Sequence, residues 1–198
     1  MTPVHSEVRH GLKIQIFQDP DPIDPRENDN LGTMAFFHRR FRLGDKHELS
    51  MEDVQRICAN PETVSLPVYM YDHGGITIST SPFSCPWDSG QLGMIFADEA
   101  KIRSEYSLLD PSKKVHPDVH EKVRQVLQAE VEEYDLFLRE EAYGYQIFDE
   151  TGECIDSCWG YLCESDGYVL EEARSAVDHL TKNGHQTSQG QMKIEGVL

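Results

Sequence analysis

The chain of 198 residues and 22.6 kDa is long enough for one ordinary domain with its own hydrophobic core. Its 35 acidic side chains outnumber its 18 Lys and Arg, and the formal net charge of −17 disfavours direct binding to nucleic acid or to anionic membranes. No apolar run approaches the roughly 20 residues of a membrane-spanning helix, and the first residues lack the layout of a signal peptide. We therefore expect a cytoplasmic protein whose five cysteines are reduced.

The first part of the chain alternates between strand-like and turn-like stretches. Residues 1–11 are expected to form a loose lead-in, whereas Leu12–Phe17 alternates apolar and polar residues as a half-buried strand does. The proline-rich residues 18–29 must turn or extend, because each X-Pro step disfavours a helix. A second strand is expected over residues 33–38, and Ser50 is the expected N-cap of a short helix.

The stretch from Leu66 to Ala97 is where we expect the functional site. Its pattern predicts a strand, a tight turn, a strand, an irregular loop and a further strand, and the two glycines of the sequence DHGG are typical of a hairpin turn. The turn and the loop hold many of the chemically capable side chains of the chain: Asp72, His73, Cys85, Trp87, Asp88, Ser89 and Gln91.

The second half of the chain is richer in helix. A helix is expected from Asp98 to about Tyr106, and a longer one begins at Pro117 and continues to about Glu141. Residues 143–148 and 154–161 flank a second predicted hairpin, and Val169–Leu180 predicts a last amphipathic helix.

These elements predict one α+β domain over residues 1–184, followed by a flexible tail at 185–198. The expected architecture is a largely antiparallel sheet with two hairpins, one long acidic amphipathic helix and shorter helices.

The outer face of the long helix is rich in carboxylates and has few cations. Such a row can present regular negative charge to a basic cleft of another protein, although most charged helix faces are only solvated. The candidates for this partner surface are Glu121, Glu132, Asp135 and Glu140.

A thiol hydrolase is a competing hypothesis. Cys85 is the candidate nucleophile, His73 its base and Asp88 the group that orients the histidine. Against this hypothesis, Pro86 offers no backbone N–H for an oxyanion hole, and a small buried cysteine beside Trp87 is the more ordinary role. The histidines and aspartates lack the spacing of a metal signature, so we expect no metal and assign no cofactor.

Five strings, DNLGTM, HRRFRLGDKH, LPVYMYDHGGITIST, CPWDSGQLG and DSCWGY, occur in order between residues 12 and 163. Together they resemble a family of uncharacterised proteins encoded by phages, prophages and plasmids of bacteria and archaea. The resemblance implies an accessory protein of a mobile element, a class rich in small acidic inhibitors of host defence. The same strings hold the candidate binding residues: Asp29, Asn30, His38, His47, Asp72, Trp87, Gln91 and Trp159.

Three functions follow as hypotheses. The leading one is an acidic accessory protein that binds and modulates a host protein with a basic surface in the host cytosol, as an anti-defence protein or a DNA mimic. The second is the small hydrolase, dependent on cysteine and histidine or on a metal. The third is a sponge that sequesters a small signalling molecule. The loops are expected to converge, with Asp29, His38, His73, Cys85 and Asp88 close together.

Overall fold

A computed structural model describes residues 1–108, 110 and 114–182 of the chain. Within these residues there are four α-helices and eight β-strands, and the strands form two antiparallel sheets of four strands each. The α+β prediction with antiparallel pairing is confirmed. The predicted tail at 185–198 lies outside the described residues.

In chain order the elements are β1 (His5–Arg9), β2 (Leu12–Gln18), a 3-10 turn (Pro25–Glu27), β3 (Thr33–Phe36), α1 (Met51–Cys58), β4 (Val64–Asp72), β5 (Ile76–Ser79), β6 (Ser89–Ala97), α2 (Glu99–Glu105), α3 (Pro117–Leu138), β7 (Ala142–Phe148), β8 (Cys154–Leu162) and α4 (Asp166–Lys182). The described part of the chain divides into two compact units, one within residues 24–139 and the other of residues 1–23 with residues 140–182. Two compact units can belong to one domain or to two, so the single domain over 1–184 stays a prediction.

The unit of residues 1–23 and 140–182 is a sheet in the order β1-β2-β7-β8 with α4 packed on one face. The alternation predicted for β2 buries Leu12, Ile14 and Ile16 against α4. From α4, Val169, Ala173 and Val177 fill the same core because they recur at helical spacing.

The predicted loose lead-in is wrong, because residues 5–9 form β1 and pair with β2. The turn between the two strands is His10-Gly11, and both residues have positive φ, 51° and 82°, as a tight two-residue hairpin requires. The sequence of β1 does not alternate apolar and polar residues, so the pattern did not predict a strand. Polar contacts hold it instead, because Arg174 of α4 donates to Glu7, and Arg9 donates to Asp178.

The unit of residues 24–139 is a sheet in the order β3-β6-β4-β5, with α3 packed against β4, β5 and β6. Met34, Val68 and Ile95 of the sheet form its core with Leu127 and Val131 of α3. The predicted hairpin between β4 and β5 is confirmed, and Gly74 at φ 78° supplies the left-handed conformation that its turn needs.

Carboxylates bind backbone N–H groups on both edge strands of this sheet. On β3, the N–H of Met34 donates to Asp45 Oδ2 over 2.9 Å. On β5, the N–H of Ile78 donates to Asp135 Oδ1 over 2.7 Å. Edge strands offer unpaired N–H groups to other chains, and these two acids satisfy one such group on each edge.

Candidate functional site

A cleft of about 350 Å³ lies at one end of the sheet in the unit of residues 24–139. Because β6 runs antiparallel to both β3 and β4, its first residues lie at the same end as the last residues of the other two strands. The side chains and backbone that line the cleft come from these three places: His38, Met70, Asp72, Trp87, Asp88, Ser89, Gly90, Gln91 and Leu92.

The loop that carries Trp87 is held by contacts on both sides of it. The hydroxyl of Ser89 donates to the carbonyl of Cys85, and the N–H of Asp72 donates to the carbonyl of Asp88 over 2.9 Å. The ring of Phe83 stacks on Tyr71 of β4 with 5.6 Å between centroids. The loop is thus tied to the sheet, yet the Trp87 residue is 91% exposed.

The three residues of the predicted catalytic set meet at one carboxylate. The thiol of Cys85 donates to Asp88 Oδ2 over 3.8 Å, and His73 Nδ1 lies 3.3 Å from the same oxygen. The predicted order was thiol, imidazole, carboxylate. The observed order has the carboxylate in the middle, so the partner of the thiol is a carboxylate and not an imidazole.

Hydrogen bonds to the backbone define which atoms of His38 and Gln91 remain for a ligand. His38 Nδ1 accepts from the backbone N–H groups of Arg40 and Phe41, at 3.3 and 3.1 Å, so the imidazole proton is assigned to Nε2. Gln91 Nε2 lies 3.3 Å from the carbonyl of Gly93 and donates to it. The same nitrogen lies 3.5 Å from Met94 Sδ. Because these two partners use both amide N–H groups, Oε1 is the group that Gln91 has left for a ligand.

Arg40 is a neighbour of the cleft that the sequence analysis noticed only as part of a basic island. Its Nη1 lies 3.6 Å from Asp72 Oδ2, and its guanidinium carbon lies 4.8 Å from the centre of the Phe41 ring. The side chain is otherwise exposed.

Four of the predicted binding residues do not line the cleft. Asp29 is an exposed acid that pairs with Lys101 over 3.1 Å, and Asn30 donates to the carbonyls of Pro25 and Asn28. The expected convergence is therefore wrong for Asp29. His47 packs edge-on to Phe37 with 5.3 Å between ring centres.

Trp159, the fourth of these residues, belongs to the other unit and has a packing role there. Its ring stacks on Phe17 at 6.0 Å and covers Gly144 so closely that a Cβ on that glycine would lie 2.3 Å from Cε3. The glycine is therefore required by the tryptophan above it.

The DNLG string has a structural role and does not line the cleft. The N–H groups of Leu31 and Gly32 donate to the carboxylate of Glu130 on α3, at 2.8 and 3.1 Å. Arg26 donates to the same carboxylate and to Asp45, each over 2.9 Å or less. These hydrogen bonds explain why polar residues and a glycine occur in the string. The sequence pattern could not predict them, because Glu130 lies far from the string along the chain.

The acidic partner surface predicted on the long helix is smaller than expected. Glu121 and Glu132 are exposed on α3. Asp135 is largely buried and binds the N–H of Ile78, whereas Glu140 lies beyond the helix end at Leu138. Asp118 and Glu133 are also exposed on α3, but Lys122 and Arg124 add positive charge to the helix surface, so the acids do not form a continuous row.

Among the described residues, no group of three or more His, Cys, Asp or Glu side chains is arranged to hold a metal ion. No helix in the described part of the chain is both long and apolar enough to span a bilayer. All five cysteines are free thiols.

A scan against protein-family models found no match, and searches of curated proteins and of solved structures found none either.

Proposed function

We propose that this protein binds a partner protein through a basic segment of that partner, and that the contact is centred on Trp87 at the mouth of the cleft. The observation that carries the proposal is the exposure of the Trp87 residue, 91%, on a loop that is tied to the sheet. Large aromatic rings are the usual energetic centres of protein interfaces, because they bury much apolar area and lose little side-chain entropy.

The charge of the site favours a basic partner. Asp72 and Asp88 line the cleft beside the tryptophan, and the whole chain carries a net charge of −17. Complementary charge accelerates encounter with a basic surface and disfavours acidic competitors.

The cleft supports this function better than the long helix does. Of the four acids that the sequence analysis assigned to the partner surface, Glu121 and Glu132 alone are exposed on α3. A DNA mimic needs a regular array of acids. The exposed acids of α3 are two separated pairs with Lys122 and Arg124 beside the first, which is not a regular array: Asp118, Glu121, Glu132 and Glu133. We therefore move the proposed contact from the helix to the cleft.

The resemblance to proteins of phages and plasmids gives this binding function its proposed biological setting. In that setting the protein is an accessory product of a mobile element that modulates a host protein in the host cytosol. The basic partner is then a host component, and an anti-defence role is one form of such modulation.

The hydrolase hypothesis finds less support in the geometry. The predicted nucleophile needs the imidazole of His73 next to its sulfur, and Cys85 donates instead to the carboxylate of Asp88, which is a weaker base than imidazole. His73 lies against the same carboxylate oxygen. This arrangement stabilises the loop and leaves Asp88 at the cleft.

Binding to designed peptides tests the proposal. Fluorescein-labelled peptides of Arg, Lys and Gly should bind, and matched peptides of Glu and Gly should not, as measured by fluorescence anisotropy. Trp87→Ala should weaken binding of the basic peptide by about 30-fold, which is the scale of an interface hot spot. The matched control is the double variant E121Q/E132Q, which removes two exposed acids outside the cleft and should change affinity by less than about threefold.

Two results would overturn the proposal. Equal binding of basic and acidic peptides would contradict the proposal that the partner is basic. Wild-type affinity in Trp87→Ala would contradict the proposal that the contact is at the cleft. A strong loss in E121Q/E132Q alone would return the contact to α3.

A further inference from the structure

We propose that the cleft is a site for the guanidinium group of an arginine side chain. This inference rests on the proposed function, since the arginine would belong to the basic partner segment. It goes beyond that function because it names the chemical group that enters the cleft.

The lining side chains offer more acceptors than donors. Asp72 and Asp88 contribute carboxylates, which only accept when ionised. The Oδ2 atom of each already has partners in the chain, which are Arg40 for Asp72 and Cys85 with His73 for Asp88, so a ligand would use mainly the Oδ1 atoms. The two N–H groups of the Gln91 amide have the carbonyl of Gly93 and the sulfur of Met94 as partners, so Oε1 is left to accept. The hydroxyl proton of Ser89 is used on the carbonyl of Cys85, so its lone pairs are left to accept.

Few donors balance these acceptors. Among the lining side chains they are the ring N–H groups of His38 and Trp87. A ligand that matches four acceptor groups must be rich in donors and carry positive charge. Guanidinium has five N–H donors in one plane and no acceptor, whereas an ammonium group has three donors on a single nitrogen. Nucleobases carry acceptors of their own, which would face the two carboxylates.

The apolar part of the cleft suits the rest of an arginine side chain. Met70 and Leu92 are buried at its floor, where they can contact the methylene stem. The ring of Trp87 can stack on the guanidinium plane, and tryptophan is the best aromatic partner for a cation. A volume of about 350 Å³ is sufficient for a side chain of this length.

The chain already holds one guanidinium group beside this site. Arg40 Nη1 lies 3.6 Å from Asp72 Oδ2, and the same guanidinium rests on the face of Phe41. The exposed Arg40 thus combines a carboxylate with an aromatic ring, as the ligand would with Asp88 and Trp87. It also competes for Asp72, so its removal should strengthen binding of an external arginine.

The test uses small ligands and one indole reporter. In the full chain with Trp159→Phe, Trp87 is the remaining tryptophan, and its fluorescence is followed during titration with three Nα-acetylated amides, those of arginine, lysine and citrulline. Citrulline has the shape of arginine without its charge. Free N-acetyltryptophan amide controls for collisional quenching.

The arginine derivative should change the fluorescence saturably, with an affinity at least about tenfold higher than that of the lysine derivative, because only the planar group can satisfy several acceptors together. The citrulline derivative should not bind. Arg40→Gln should raise the affinity for arginine by about three- to fivefold, the scale of one exposed ion pair. Asp88→Asn should lower it by about tenfold or more, because it removes the charge that the ligand neutralises.

Equal affinities for arginine and citrulline, or for arginine and lysine, would overturn the inference, and so would weaker arginine binding in Arg40→Gln. The proposed function is judged separately by the peptides. If the basic peptides bind through Trp87 while acetylarginine amide does not, the guanidinium site is wrong and the partner function stands. If acetylarginine amide binds and the peptides do not, the site stands and its ligand is a small molecule.

Discussion

Arg26 donates a hydrogen bond from Nη1 to Oε2 of Glu130 over 2.9 Å, joining the loop before β3 to the middle of α3. The Arg26 side chain is only 4% exposed, so the acids around it must offset the cost of burying its charge. Glu130 also accepts from two backbone N–H groups of the DNLG string. One carboxylate on a helix therefore fixes the loop that leads into the sheet.

Glu130→Ala should destabilise the unit of residues 24–139 by about 3–5 kcal/mol, because it leaves the buried arginine without one of its partners. Urea unfolding followed by circular dichroism measures the loss. Glu132→Ala, two residues away and exposed, is the matched control and should change stability by about 0.5 kcal/mol or less. Equal effects of the two substitutions would show that the buried pair does not stabilise the fold.

Asp135→Ala should affect stability and not partner binding. The substitution removes the acceptor for the N–H of Ile78, and an unsatisfied backbone donor costs about 1–3 kcal/mol. The unfolding free energy is measured by urea titration and the affinity for a basic peptide by anisotropy. Unchanged stability with weakened peptide binding would restore Asp135 to the partner surface.

Gly144→Ala should destabilise the other unit by about 1–3 kcal/mol, the usual cost of overpacking, because the new methyl group would meet the ring of Trp159. The cost should shrink when the same substitution is made in a Trp159→Ala background. A double-mutant cycle of unfolding free energies measures the coupling. Additive effects would mean that the ring does not restrict residue 144.

Local signals in the sequence were sufficient for most of the fold. The alternation in β2, the glycines of the DHGG turn and the N-cap of α1 each depend on neighbouring residues, and each is present in the structure. The first strand was not predicted because four of its five residues are polar and its side chains form ion pairs with α4. Such long-range pairing leaves no periodic pattern along the chain.

The candidate site could be predicted only in part. The DHGG turn and the CPWD loop were expected to meet, and Asp72, Trp87 and Asp88 do line one cleft. The DNLG string looked functional for the same reason, namely several polar residues in a turn. Its role depends on Glu130, which lies 98 residues after Gly32. A partner so far away along the chain cannot be recognised from the local sequence pattern.

The ion pairs between β1 and α4 predict a pH dependence of stability. Hydrogen bonds from Arg174 lower the pKa of Glu7, and hydrogen bonds from Arg9 lower that of Asp178, below their ordinary values of 4.5 and 3.8. The folded state therefore favours both ionised carboxylates. Their contribution is present above these ordinary values and is lost as the pH falls through the lowered ones.

Urea midpoints from pH 7 down to about pH 3 test this dependence, with Trp159 as the remaining indole in a Trp87→Phe background. The double variant R9Q/R174Q should be less stable at neutral pH, and the difference from the parent should shrink as the pH falls. A difference that stays constant over this range would contradict the assignment.

The most direct test of the binding account is a nuclear magnetic resonance titration of the ¹⁵N-labelled chain with an arginine-containing basic peptide. The account predicts that the backbone amide shifts concentrate at residues 38–41, 70–73 and 87–92, around the cleft. It also predicts that the amide chemical shifts of Glu121 and Glu132 do not change. Shifts concentrated along α3, or none at saturating peptide, would contradict it.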